Sequence, residues 1–196
     1  MTGLIVLTVV ALLILSWGVG AYKRLVGLQN QVKNTFSQVN GQLKRRYDLI
    51  PDLAEIAKGY LKHERETLEA VIAACNHARS ANAKAAADPY DTVAMRGMAA
   101  AEEMLSATLD RMFALAEACS ELKADKNMMQ LSEELASTES RIAFTRQAYN
   151  DGAMQYNASR AQFPSSIIAV VFAFKRAGLL QSMAAQEERK RAKRTI

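Results

Sequence analysis

The chain has 196 residues, half of them hydrophobic, and a formal charge of +5. That length holds one ordinary domain plus a membrane segment. Its three prolines and nine glycines, set among abundant Ala, Leu, Met, Glu, Gln, Lys and Arg, exclude a many-stranded sheet. The positive excess does not mark a nucleic-acid binder. From Lys175 to the end there are seven Lys or Arg against two Glu and no interleaved aromatics, and the remainder is neutral.

Leu4 to Ala21 carries no charge over 18 positions, a helix of about 27 Å against roughly 30 Å of hydrocarbon. Trp17 and Tyr22 suit the headgroup level, and Lys23 and Arg24 follow at once. These four residues are the expected membrane interface. With only Thr2 and Gly3 before the span and no positive charge there, the positive-inside rule puts the short N-terminus outside and the bulk of the chain in the cytoplasm. Val19-Gly20-Ala21 resembles a signal-peptide cleavage site, but the basic n-region that a signal peptide needs is missing.

Leu25, Leu28, Val32, Phe36, Val39, Leu43 and Tyr47 then recur at spacings of three and four, giving one apolar face on a helix that continues the anchor. The expected rod runs about 45 residues, roughly 68 Å, to Pro51, which is expected to end it and to open a second helix. Lys44, Arg45 and Arg46 would then lie at a helix C-terminus, with Asp48 and Asp52 at the next N-terminus, each charge matched to the macrodipole. An exposed basic tip for an anionic partner is the functional alternative.

The expected second helix turns Leu53, Ile56, Tyr60, Leu68, Val71, Ile72 and Cys75 inward, with His63 on the face of Tyr60 as a core histidine or, alternatively, a pH-sensitive or ligand-binding group. Asp88-Pro89-Tyr90-Asp91 is the clearest interior loop. A third helix spans about 92–122, its methionines read as core. A fourth spans about 127–160 with Met128, Leu131, Leu135, Thr138, Ile142, Thr145, Tyr149, Gly152 and Tyr156 in a coiled-coil-like seam. Phe163-Pro164 stops it. The apolar run Ile167 to Phe174, too short to span a bilayer, either lies in the headgroup boundary or packs on the end of the helices. Ile167, Ile168, Phe172, Phe174, Lys175 and Arg176 are the lipid contacts of the first alternative, and the basic tail is read as solvated or as drawn to anionic headgroups.

Cys75 and Cys119 lack metal-ligand spacing and are expected reduced and buried. No catalytic motif is present: His63 and His77 lack a Glu three residues before them, and there is no HExxH, P-loop, dinucleotide fingerprint or GxSxG. Glu102-Glu103 and Glu133-Glu134 read as solvated faces. No enzymatic activity, cofactor or metal is expected.

The run Val26-Gly27-Leu28-Gln29-Asn30-Gln31-Val32-Lys33-Asn34, then Phe36 to Val39, Gln42 to Leu53, Lys58-Gly59-Tyr60 and His63-Glu64, resembles the LemA family. So do Leu122-Lys123-Ala124, Glu133-Glu134-Leu135 with Thr138-Glu139, Ile142, Arg146, Tyr149-Asn150, Tyr156-Asn157, Phe163-Pro164, Ile168-Ala169, Phe172 and Phe174-Lys175. Two departures stand out: Ala118-Cys119 replaces a Tyr-Pro-like element, and Ala173 occupies the place of a usual glycine. The resemblance implies a bacterial single-pass protein of the inner membrane with a cytoplasmic helical bundle, and it carries over no catalytic residues.

The expectation is therefore an all-α chain: a transmembrane anchor at 1–21, a long antiparallel four-helix bundle at 22–162, and an apolar segment with a basic tail at 163–196. The expected task is that of a membrane-anchored scaffold that associates with itself or with another membrane protein. Lys44, Arg45, Arg46, Asp48, Tyr60 and His63 are its candidate interaction residues. Lipid-surface binding through the C-terminal segment is the alternative. The bilayer is the expected partner and nucleic acid is not.

Overall fold

The structure is a computed structural model that describes residues 1–61 and 63–180. The greater part of the basic tail lies outside the described residues. Every regular element among the described residues is a helix: α1 (Thr2–Tyr60), α2 (Arg65–Ala87), α3 (Thr92–Ala118), α4 (Ser120–Lys123), α5 (Lys126–Ala161) and α6 (Ser165–Val171).

α1 runs unbroken for 59 residues, about 88 Å at 1.5 Å per residue. Its apolar N-terminal stretch buries no residue up to Trp17 among those described, whereas Leu25, Val32, Phe36, Val39, Leu43, Tyr47, Ile50, Leu53 and Ala57 are buried at helical spacing. Pro51 does not end the helix, contrary to the expectation from its missing N–H, and residues 52–60 belong to α1 rather than to α2. The physical reason lies four residues back. The carbonyl of Tyr47 loses its usual helical donor, and Arg79 of α2 supplies another through Nη2 at 2.9 Å, with the Cys75 thiol at 3.6 Å.

Pairings along α1 and α5 fix how these helices meet. Tyr60 bonds Asp125, Arg45 pairs with Glu134, and Phe36 stacks edge-on with Tyr149, so positions rise along one helix as they fall along the other. α2 packs on both α1 and α3, burying Leu68, Val71, Cys75 and Ala78 on one side and Met95, Met98, Leu105, Leu109 and Met112 on the other. The methionine stripe is core.

Helix starts are set by side chains. The Asp91 carboxylate accepts from the amides of Val93 and Ala94, and that of Asp125 from Asn127 and Met128, so each holds donors that the first helical turn leaves without partners. The expected helix 92–122 is interrupted at Cys119, whose extended backbone separates α3 from α4. A turn thus forms at the position of the departure at Ala118-Cys119. Both cysteines are free; Cys75 is buried and Cys119 only partly so.

After α6 the chain reverses at Ala173 and residues 174–180 run in extended form back along α5. This strap lies between α5 and the start of α3, where Gly178 approaches Met95 and Thr92. Phe174, Ala177 and Leu180 are buried beneath it.

Candidate functional site

Two regions concentrate unusual chemistry: the end of the molecule that carries the apolar stretch of α1, and an ionic cluster inside the helical body.

At the first, α6 packs on α1 through Ile168, which comes within 3.9 Å of a Cβ built on Gly18, and its Ala169 is buried. The ring of Phe172 lies 4.8 Å and that of Phe174 5.8 Å from the ring of Tyr22. The outer face of α6 is apolar and open: Ile167, Val170 and Val171 are exposed, as is Phe163 just before the helix, and Phe172 just after it stays more than half exposed despite its contact with Tyr22. The two alternatives read from the sequence are therefore divided within one short helix. Ile168 is only partly buried and Phe174 is buried; both pack on the protein, whereas Ile167 stands outward and Phe172 is divided between Tyr22 and the outside. Lys175 is exposed and pairs with Asp88 at 3.2 Å, Arg176 is exposed, and Trp17, Tyr22, Lys23 and Arg24 are exposed on α1 at the same end.

The strap is held by α5 through a repeated device. Asn157 accepts from the amide of Ala177 and donates to its carbonyl, both at 3.0 Å. One strap triplet further on, Asn150 does the same for Leu180, at 2.8 and 3.1 Å. Beside each asparagine a tyrosine hydroxyl donates to a strap carbonyl, Tyr156 to Lys175 at 2.8 Å and Tyr149 to Gly178 at 2.7 Å. Arg160 Nε closes the series on the carbonyl of Phe174 at 2.6 Å. Burial raises the pKa of Tyr149 and of Tyr156 above the ordinary tyrosine value, so both hydroxyls stay protonated as donors. Sequence reading placed the tyrosines in the core seam and assigned the asparagines no role. The signal was the recurrence of Tyr-Asn two helical turns apart.

The ionic cluster centres on Glu102, whose side chain is 2% exposed. Arg46 Nη1 donates to its Oε2 at 3.1 Å, Arg146 Nη2 to the same oxygen at 3.3 Å, and the Tyr47 hydroxyl to Oε1. Arg46 Nη2 also donates to Ser106 Oγ at 2.9 Å and meets Glu139 at 3.2 Å. Burial, then the charge and hydrogen bond of Glu102, hold the Tyr47 hydroxyl far above its ordinary pKa. This arrangement overturns two expectations. Arg46 belongs to no exposed basic tip, because α1 continues past it and its apolar-face position turns it inward. Glu102 is no solvated carboxylate, because the two guanidiniums compensate its burial.

The remaining candidates lie apart. Lys44 is exposed, Arg45 pairs with Glu134 at the surface, and Asp48 pairs with Arg79. Tyr60 is exposed and bonds Asp125, and His63 sits exposed in the turn before α2, so neither is a core residue. Their separation has one cause: α1 ends at Tyr60 and α2 begins only at Arg65, so the helical spacing that put His63 on the face of Tyr60 does not apply. Among the described residues no three His, Cys, Asp or Glu side chains converge on a metal position.

No curated protein matches the chain. Residues 35–193, which make up well over half of its length, match the family model described as the LemA family, and the chain belongs to that family.

Proposed function

We propose that this protein is a non-catalytic, membrane-anchored interaction scaffold: α1 crosses the bilayer and the remaining helices stand on the cytoplasmic side of a bacterial inner membrane as an antiparallel four-helix bundle. One observation carries this reading. The apolar stretch of α1 carries exposed Leu4, Leu7, Val10 and Leu15 and meets the helical body near Gly18, where Ile168 of α6 comes within reach, and the apolar face of α6 is open at the same end. Among the described residues nothing covers these exposed surfaces, and a bilayer offers both of them the same solvent. Placed so, Gly18 lies about a turn inside the hydrocarbon edge, and the helix packed against it occupies the headgroup boundary.

The rest of α1, exposed along Gln31, Asn34 and Gln38, gives the anchored body a polar flank for copies of itself or for another membrane protein. Light scattering of the full-length protein in mild detergent, beside a chain starting at Tyr22, tests this. A defined oligomer that depends on the anchor supports the scaffold; a monomer at high concentration, with no crosslinked partner in native membranes, counts against it.

The openness of Ile167, Val170, Val171 and Phe172 favours a second reading, in which α6 acts on the lipid itself. Full-length protein in vesicles should then alter lipid packing, and Val170→Ser with Val171→Ser should abolish that effect while leaving the helical content unchanged.

A further inference from the structure

We propose that basic side chains of α1, α5 and the strap form a collar that holds the headgroup of an anionic phospholipid. The inference rests on the anchored reading above and names the lipid that the anchored end selects. Tyr22 sets the level. Its ring meets those of Phe172 and Phe174 at 4.8 and 5.8 Å. The residues that follow these aromatics, Lys23 and Arg24 on α1 and Lys175 and Arg176 on the strap, therefore leave one apolar layer together. Arg160 joins them, because its Nε donates to the carbonyl of Phe174 at 2.6 Å.

Depth follows from α6. Its exposed Ile167, Val170 and Val171 take the hydrocarbon edge as their solvent, and Gly18, where Ile168 packs, then lies about a turn inside that edge. Lys23 and Arg24 start about 1.5 and 3 Å beyond Tyr22 along the helix, within a headgroup layer about 5–7 Å thick.

The charge at this level is unbalanced. Asp91 uses its carboxylate on the amides of Val93 and Ala94, and Asp88 meets Lys175 at 3.2 Å in an exposed pair that leaves the lysine open to a second anion. Lys23, Arg24 and Arg176 are exposed and form no ion pair among the described residues. A phosphodiester suits this set, since guanidiniums bond its oxygens in pairs and ammoniums meet them as point charges. A zwitterionic headgroup brings its own ammonium, which the collar repels. The ligand is therefore a phospholipid whose phosphate carries a neutral alcohol, as in phosphatidylglycerol.

Trp17, the one tryptophan, stands exposed beside Gly18 and reports which lipid adjoins the collar. Full-length protein is placed in vesicles of phosphatidylglycerol and phosphatidylcholine in equal parts, with bromine on the acyl chains of one lipid or the other to quench the indole. Brominated phosphatidylglycerol should quench Trp17 as though enriched several-fold over its share of the bilayer. Lys175→Gln with Arg176→Gln should lower that enrichment several-fold while helical content stays the same, although Lys23, Arg24 and the basic tail are unchanged. Molar salt should lower it in the parent protein.

Equal quenching by the two lipids overturns the collar and leaves the anchored reading standing. An enrichment that persists in the strap variant and disappears only in Lys23→Gln with Arg24→Gln also overturns it, because the charges flanking the span then act alone. Absence of quenching by either lipid defeats the anchored reading, and the collar with it.

Discussion

The guanidinium of Arg79 donates to the carbonyl of Tyr47 at 2.9 Å, on the turn of α1 that Pro51 deprives of its own donor. A charged donor from α2 thus keeps α1 continuous past a residue that ordinarily stops a helix, and lengthens the rod by the residues up to Tyr60. Arg79→Met should cost about 1–3 kcal/mol, since it leaves the carbonyl only the weak thiol donor of Cys75. Pro51→Ala restores the backbone donor and should stabilise the protein alone. In the double variant the cost of Arg79→Met should largely vanish. Urea unfolding of the four proteins measures the coupling, and additive effects would contradict this account of α1.

Glu102 holds Arg46 and Arg146 in the interior. Glu102→Gln keeps the volume but leaves buried Arg46 with only the half-exposed Glu139 as counter-charge and takes that of the partly buried Arg146, so it should destabilise by about 3 kcal/mol, as should Arg46→Met with Glu102 left charged. Arg46→Met together with Glu102→Leu should cost less than either single change. Thermal melts of the three variants check the ordering.

Ala173 stands at φ 53° where the family resemblance leads one to expect glycine. Ala173→Gly should raise the unfolding free energy by about 1 kcal/mol through relief of backbone strain. A fall in stability in chemical denaturation would contradict the strain.

Burial raises the pKa of Tyr47, Tyr90, Tyr149 and Tyr156 above the unfolded value near 10. Their protonated forms favour the folded state, so this contribution is fully present below pH about 10 and is lost as pH rises through the folded values. Tyrosinate absorbance of these residues should therefore appear together with loss of helix above pH 10, not before it. The capping carboxylates of Asp91 and Asp125 have the opposite sign. Backbone hydrogen bonds lower their pKa, so their contribution persists in mild acid and is lost as pH falls through the lowered values.

The helical class, the apolar N-terminal stretch of α1 and the buried faces of α1, α3 and α5 were legible because apolar spacing reports a face directly. Pro51 misled because its rescue comes from Arg79, a residue 28 positions away whose approach depends on tertiary packing. Arg46 and Glu102 were hidden for a related reason: each reads as a surface charge, and only the meeting of α1, α3 and α5 makes a buried cluster of them. The Tyr-Asn recurrence was visible, but its function was not, because the strap that it holds has no periodic signature of its own. In α6, adjacent apolar residues divide between Gly18 of α1 and the outside, a division that a bare apolar run does not encode.

The placement of α6 in the membrane boundary is tested most directly by tryptophan fluorescence, since Trp17 is the one tryptophan in the chain. Full-length protein with Trp17→Phe and Val170→Trp is placed in lipid vesicles, with Phe144→Trp on the exposed flank of α5 as the control. The account predicts blue-shifted emission at position 170 that is quenched by lipids labelled near the headgroup, and water-like, unquenched emission at position 144. Water-like emission at position 170 without lipid quenching would contradict it.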